Sequence, residues 1–149
     1  MNHSEPIARP GSILVIVGIV LIQTYRVTAL DIAQNALATT GSQPWFVPAL
    51  ADFAFGITAP FVAFALLRLT GLGVWVGGIV WLALSLFDFV AGLATNLAAG
   101  PPAEFGVSAS DATTVLLGWI ALDVVALALL GRAAVRAYYL GPRARPSDA

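Results

Sequence analysis

The sequence predicts an all-α integral membrane protein, a four-helix bundle of four transmembrane helices with both termini cytoplasmic. Three observations carry that expectation. The 149 residues are 59% hydrophobic and only 10% charged, with a mean hydropathy of +0.89; a soluble domain carries about 25% charged residues. The apolar residues fall into four runs, each near the ~20 residues that cross ~30 Å of hydrocarbon. In a four-span layout Arg9, Arg68, Arg132, Arg136, Arg143 and Arg145 share one side, and the other holds Asp31, Glu104 and Asp111 but no arginine. That asymmetry is the positive-inside pattern.

The first span is expected from about Ser12 to Leu30, opened by Pro10-Gly11 and polar at its far end with Gln23, Thr24, Tyr25 and Arg26. Ile32, Ala33, Ala36 and Leu37 continue a helical apolar pattern, which would extend the helix beyond the membrane until Gly41. Arg9, the apolar run and Ala36-Leu37-Ala38 loosely mimic a signal peptide, but the long interval with Arg26 and Asp31 argues against cleavage. The second span is expected from about Pro48, a residue suited to a first helical turn, to Leu67. Thr70 to Gly73 makes a tight turn into the third, from about Val74 to Asn96. Ser108, Ser110 and Asp111 can cap the fourth, from about Thr113 to Ala134. Residues 1–140 form one transmembrane domain, and the tail 141–149 reads as a disordered cytoplasmic segment. Tyr138 and Tyr139 fit an inner aromatic belt and Trp45 an outer one.

Composition excludes several chemistries. There is no cysteine, so no disulfide, iron–sulfur cluster or thiol nucleophile; no lysine, so no Schiff base. The single histidine, His3, lies in a polar N-terminal segment. No metal or cofactor is expected, and no basic patch with interleaved aromatics suggests nucleic acid. Abundant Ala, Gly and Pro with Arg in place of Lys suggest a GC-rich bacterial genome, and hence the cytoplasmic (inner) membrane.

The candidate site lies in the intramembrane charges. Arg26 sits in the first span, Asp52 in the second, Asp88 in the third and Asp123 in the fourth. Each costs roughly 2.5–3.5 kcal/mol at a helix centre on insertion scales, so such residues are kept for a partner or a task. Helical rise puts Arg26, Asp52 and Asp88 about 6–12 Å below the outer boundary and Asp123 near the midplane. In the third span Gly78, Trp81, Ser85, Asp88, Gly92 and Asn96 share one face. Gln23 lies one turn from Arg26, and Gly56 and Pro60 follow Asp52 at i+4 spacing, with a kink expected at Pro60. The expected ligand- or proton-binding set is Arg26, Asp52, Asp88, Gln23, Ser85 and Asn96. Asp123 is expected to be a buried, neutral carboxyl, since one arginine cannot pair three aspartates.

Gly73-xxx-Gly77 matches a helix-packing motif. Asp52-Phe53-x-x-Gly56 echoes Asp88-Phe89-x-x-Gly92, by chance or as an inverted repeat. Asp52 opening the second span, Gly56 after it and the short Arg68-bearing turn resemble the DoxX-type small four-span bacterial proteins. Gln23 and Arg26 depart from that pattern, and no residue role is carried over.

Three functional readings follow. One is a protein that binds or passes a small molecule, lipid or proton at an outward-facing intramembrane site. The second is a non-catalytic accessory or structural subunit, whose charges fix helices within the chain, in a homo-oligomer or to a membrane-complex partner. The least favoured is a membrane enzyme on a lipophilic substrate with Asp52 and Asp88 as acid and base, because no catalytic motif accompanies them.

Overall fold

A computed structural model describes residues 8–38, 43–102 and 106–141. Among these residues there is no strand, and four helical segments are long and apolar enough to cross a membrane: Gly11–Ala38, Gln43–Arg68, Leu72–Ala99 and Ala109–Leu130. The protein is an all-α four-helix bundle. The first segment comprises α1 (Gly11–Ile22), a 3₁₀ stretch over Gln23–Thr28 and α2 (Ala29–Ala38). A short 3₁₀ turn, Gln43–Trp45, leads into α3 (Phe46–Arg68), followed by α4 (Leu72–Ala99), α5 (Ala109–Leu130) and α6 (Ala133–Leu140).

The helix boundaries have local causes. The Ser108 hydroxyl caps α5 by accepting from the Asp111 backbone N–H at 3.1 Å. Gly71 takes φ +119°, a conformation open to glycine, which lets α4 begin immediately after α3. α3 runs through Pro60 without interruption. The fourth span ends at Leu130 rather than Ala134, because Gly131-Arg132 breaks it and α6 begins a new direction with extended Arg132. Gly41 and the tail from residue 142 lie outside the described residues.

Both ends of the described chain lie at one end of the bundle. Arg9 Nε donates to Tyr138 Oη at 3.4 Å, and the Gly71 N–H to the Tyr139 carbonyl at 2.9 Å. Exposed Arg9, Arg68, Arg132 and Arg136 gather there. Tyr139 is packed inside rather than at a lipid boundary: it is buried, and its hydroxyl donates to the Leu66 carbonyl at 2.5 Å, closing the end of α3. Burial, and then neighbouring Tyr138, push its phenol up to about 12.

Lipid removes the hydrophobic drive between helices, so close packing and hydrogen bonds must hold them. Small Ala49, Gly56, Ala59 and Ala63 are buried on α3, while Phe61, Phe64, Phe87 and Leu117 point outward. One apolar cluster, with Ile13, Ile16, Val20, Leu66, Leu82 and Leu130, fills the arginine-bearing half. A second, with Ala29, Ile32, Ala33, Trp45 and Ala49, fills the other. Trp45 therefore belongs to the core, its indole donating to the Gly100 carbonyl at 2.8 Å, and not to an outer aromatic belt. Gly73 and Gly77 face open space, so their motif packs nothing among the described residues; Gly78 is the glycine that meets α3, at Leu66.

Candidate functional site

Between the two apolar clusters lies a polar layer, and its centre is Arg26. In a 3₁₀ turn residues i and i+3 eclipse, so Gln23 and Arg26 project together from the first span. Arg26 Nη1 accordingly donates to Gln23 Oε1 at 2.8 Å. Gly56 allows α3 to come backbone-to-backbone against this turn: a β-carbon there would lie 2.5 Å from the Val27 nitrogen and 2.9 Å from the Arg26 carbonyl carbon. That approach sets Asp52, one turn earlier, beside Arg26, whose Nε donates to Asp52 Oδ1 at 2.5 Å.

α4 supplies the other side. Arg26 Nη2 donates to Asp88 Oδ2, and Nη1 to the Ser85 hydroxyl at 2.8 Å. The guanidinium carbon lies 4.7 Å from the Phe55 ring centroid and 4.1 Å from that of Phe89, so a ring from α3 and one from α4 hold it by cation–π contact. Phe89 stacks on Trp119 at 5.8 Å, and Trp119 on Tyr25 at 5.0 Å.

Asp123 joins from α5. Its Oδ1 accepts from Gln23 Nε2 and its Oδ2 lies 2.8 Å from the Ser85 oxygen. Ser85 has one hydrogen but two oxygen neighbours at 2.8 Å, Gln23 Oε1 and Asp123 Oδ2. All these contacts are hydrogen bonds at once only when Ser85 donates to Gln23 and Asp123 carries a proton that it donates to Ser85.

Of the sequence-predicted residues, the structure brings together Arg26, Asp52, Asp88, Gln23, Ser85 and Asp123. Asn96 stands apart. It shares the Ser85 face of α4 but lies eleven residues on, about 16 Å along the axis. Its amide donates to the Ala109 carbonyl and the Thr113 hydroxyl, tying α4 to the start of α5, and its Oδ1 has no partner among the described residues.

The network is sealed unevenly. Gln23 and Asp123 are fully buried, and the Arg26 side chain is 0% exposed, but the Asp52 side chain is 29% exposed. Asp52 borders a cavity of about 280 Å³ in the half of the bundle away from the exposed arginines. Its walls include Tyr25, Ile32, Phe89, Leu116 and Trp119, and exposed Asp111 stands at its rim. Sequence reasoning did not assign Phe55, Phe89, Trp119, Tyr25 or Asp111 to this site; the adjacency of Phe89 to Asp88 and the Trp119–Asp123 spacing were the available signals.

No family model matches the chain, and no curated protein or solved structure matches it. The likeness to DoxX-type proteins therefore rests on Asp52, Gly56 and Arg68 alone.

Proposed function

We propose that this chain is a small multi-pass protein of a bacterial cytoplasmic membrane that binds or passes a small molecule at an outward-facing intramembrane polar site. One observation carries the reading: the buried charge network is open at one carboxylate, Asp52, and that carboxylate borders a cavity. An ion pair that only fixed helix register would gain nothing from a cavity at its edge. The outward direction follows from the positive-inside rule, which assigns the arginine-bearing end to the cytoplasm. A structural role is favoured for Gln23, Ser85 and Asp123, which are sealed and bonded to one another. That the charges are met within the chain weighs against their serving to hold a partner subunit.

The absence of native cysteine makes a direct test clean. Leu116 lines the cavity, whereas its neighbour Leu117 is 50% exposed on the outer surface of α5. A charged, membrane-impermeant methanethiosulfonate added from the arginine-poor side is expected to label Leu116→Cys and leave Leu117→Cys unmodified. Equal protection of both would mean that water does not enter, and the network would be purely structural.

A further inference from the structure

Building on the cavity as the binding site, we infer that its ligand is a small organic ammonium ion, with N–H donors and an apolar body. Arg26 is the obvious receptor for an anion, but four of its five N–H donors are committed within the network. Of the five N–H groups of a guanidinium, Nε serves Asp52, Nη1 serves Gln23 and Ser85, and Nη2 serves Asp88. The side chain also presents no surface, being 0% exposed against 29% for Asp52. An anion would meet no exposed donor on it. Arg26 borders the cavity as well, but the charged side chains with exposed surface on its lining are the carboxylates Asp52 and Asp111.

The walls say what accompanies the charge. Ile32, Val115 and Leu116 offer an apolar surface for a hydrocarbon or aromatic body. Of the four aromatic residues on the lining, Phe89 is already engaged by Arg26 and Trp119, and Trp119 by Phe89 and Tyr25, which leaves Trp45 as the one ring outside that stack. Recognition therefore falls to carboxylate oxygens, which favour an ammonium that donates hydrogen bonds over a quaternary one.

Protection of Leu116→Cys from thiol labelling tests this. The probes are 2-phenylethylammonium, 2-phenylethanol, 3-phenylpropanoate and benzyltrimethylammonium, so that body is held near constant while the head group changes. The primary ammonium is expected to protect at a concentration at least ten-fold lower than the alcohol or the quaternary ion, and the carboxylate not to protect. Asp111→Asn, outside the Arg26 network, should raise the protecting concentration several-fold, and Asp52→Asn ten-fold or more. Should Asp52→Asn not fold, Asp111→Asn carries the comparison. Equal protection by the alcohol, stronger protection by the carboxylate, or no change in Asp111→Asn would overturn the ammonium assignment; equal protection by the quaternary ion would overturn recognition through N–H donors. If Leu116→Cys labels but no probe protects it, the ligand class falls and the open site stands. If it does not label, both fall.

Discussion

Replacing Asp123 by asparagine or by alanine separates two ways of holding the polar layer. With a proton on Oδ2, Asp123 donates to Ser85 and accepts from Gln23. Asparagine reproduces both roles, its amide donating to Ser85 and its carbonyl accepting from Gln23. Asp123→Asn should therefore cost less than about 1 kcal/mol, the net worth of one hydrogen bond. Alanine strands the buried Gln23 Nε2, while Ser85 still donates to Gln23 and accepts from Arg26. At about 1–3 kcal/mol for an unsatisfied buried group, Asp123→Ala should cost about 1–3 kcal/mol, more than the asparagine. A floor near 1 kcal/mol follows if membrane partners compensate in the unfolded state, as interhelical bonds of about 0.6 kcal/mol imply. Reversible unfolding in mixed detergent micelles measures the ranking. Infrared spectroscopy measures the proton, because the carbonyl band of a protonated carboxyl should be present in the wild type near neutral pH and lost in Asp123→Asn. Equal costs for asparagine and alanine would refute the bonding pattern. An unchanged carboxyl band would refute the proton on Asp123.

Four further outcomes are expected. Arg26→Ala leaves two carboxylates without their cation and should cost about 3–5 kcal/mol; adding Asp52→Asn and Asp88→Asn should recover part of it in thermal unfolding, and strictly additive losses would show that the ion pairs do not couple. Gly56→Ala sets a β-carbon against backbone and should cost about 1–3 kcal/mol, Gly78→Ala less because only the Leu66 tip must move, and Gly73→Ala nothing, all read by unfolding. Reporter fusions after Gly100 and after Leu140 should lie on opposite sides of the membrane; the same side for both would break the four-span topology. Because Tyr139 is held protonated up to about 12, its contribution is present below the ordinary phenol value of about 10 and lost as pH rises above it; Tyr139→Phe should cost about 1 kcal/mol below that pH and remove this alkaline step in stability.

The spans were legible because lipid demands length and continuity, and a run such as Ile13 to Ile22 satisfies both without reference to any neighbour. The meeting of Arg26, Asp52 and Asp88 was legible from depth: equal rise from one boundary puts residues of different helices at one level. Azimuth was only half legible. The face of α4 that carries Ser85 and Asp88 is indeed buried, but periodicity does not say which helix each residue meets, and Asn96 turned out to face α5 rather than Arg26. The 3₁₀ turn at Gln23 was hidden, since residues three apart neighbour one another in either helix type. The same limit hid the Tyr25–Trp119–Phe89 stack, which joins three spans by contacts that no single-helix pattern encodes. Gly73 and Gly77 show the converse: small residues mark where a helix can be approached, not whether anything approaches it.

A single arginine organises this layer because a guanidinium donates in several directions from one plane. Nε reaches α3, Nη2 reaches α4, and Nη1 passes through Ser85 and Gln23 toward Asp123 on α5. A lysine would offer a point charge without the fixed fork, and could not hold these acceptors while lying flat between Phe55 and Phe89. The division of labour among the aspartates follows. Asp123 needs no cation contact, since it donates its proton to Ser85 and accepts from Gln23, and it can be sealed away. Asp52 and Asp88 share the one positive charge, so a proton, water or a cation must offset the second carboxyl. The cavity borders Asp52, the more exposed of the two. On the ammonium reading proposed above, the same imbalance that makes the layer costly to bury equips its open edge to select a cation.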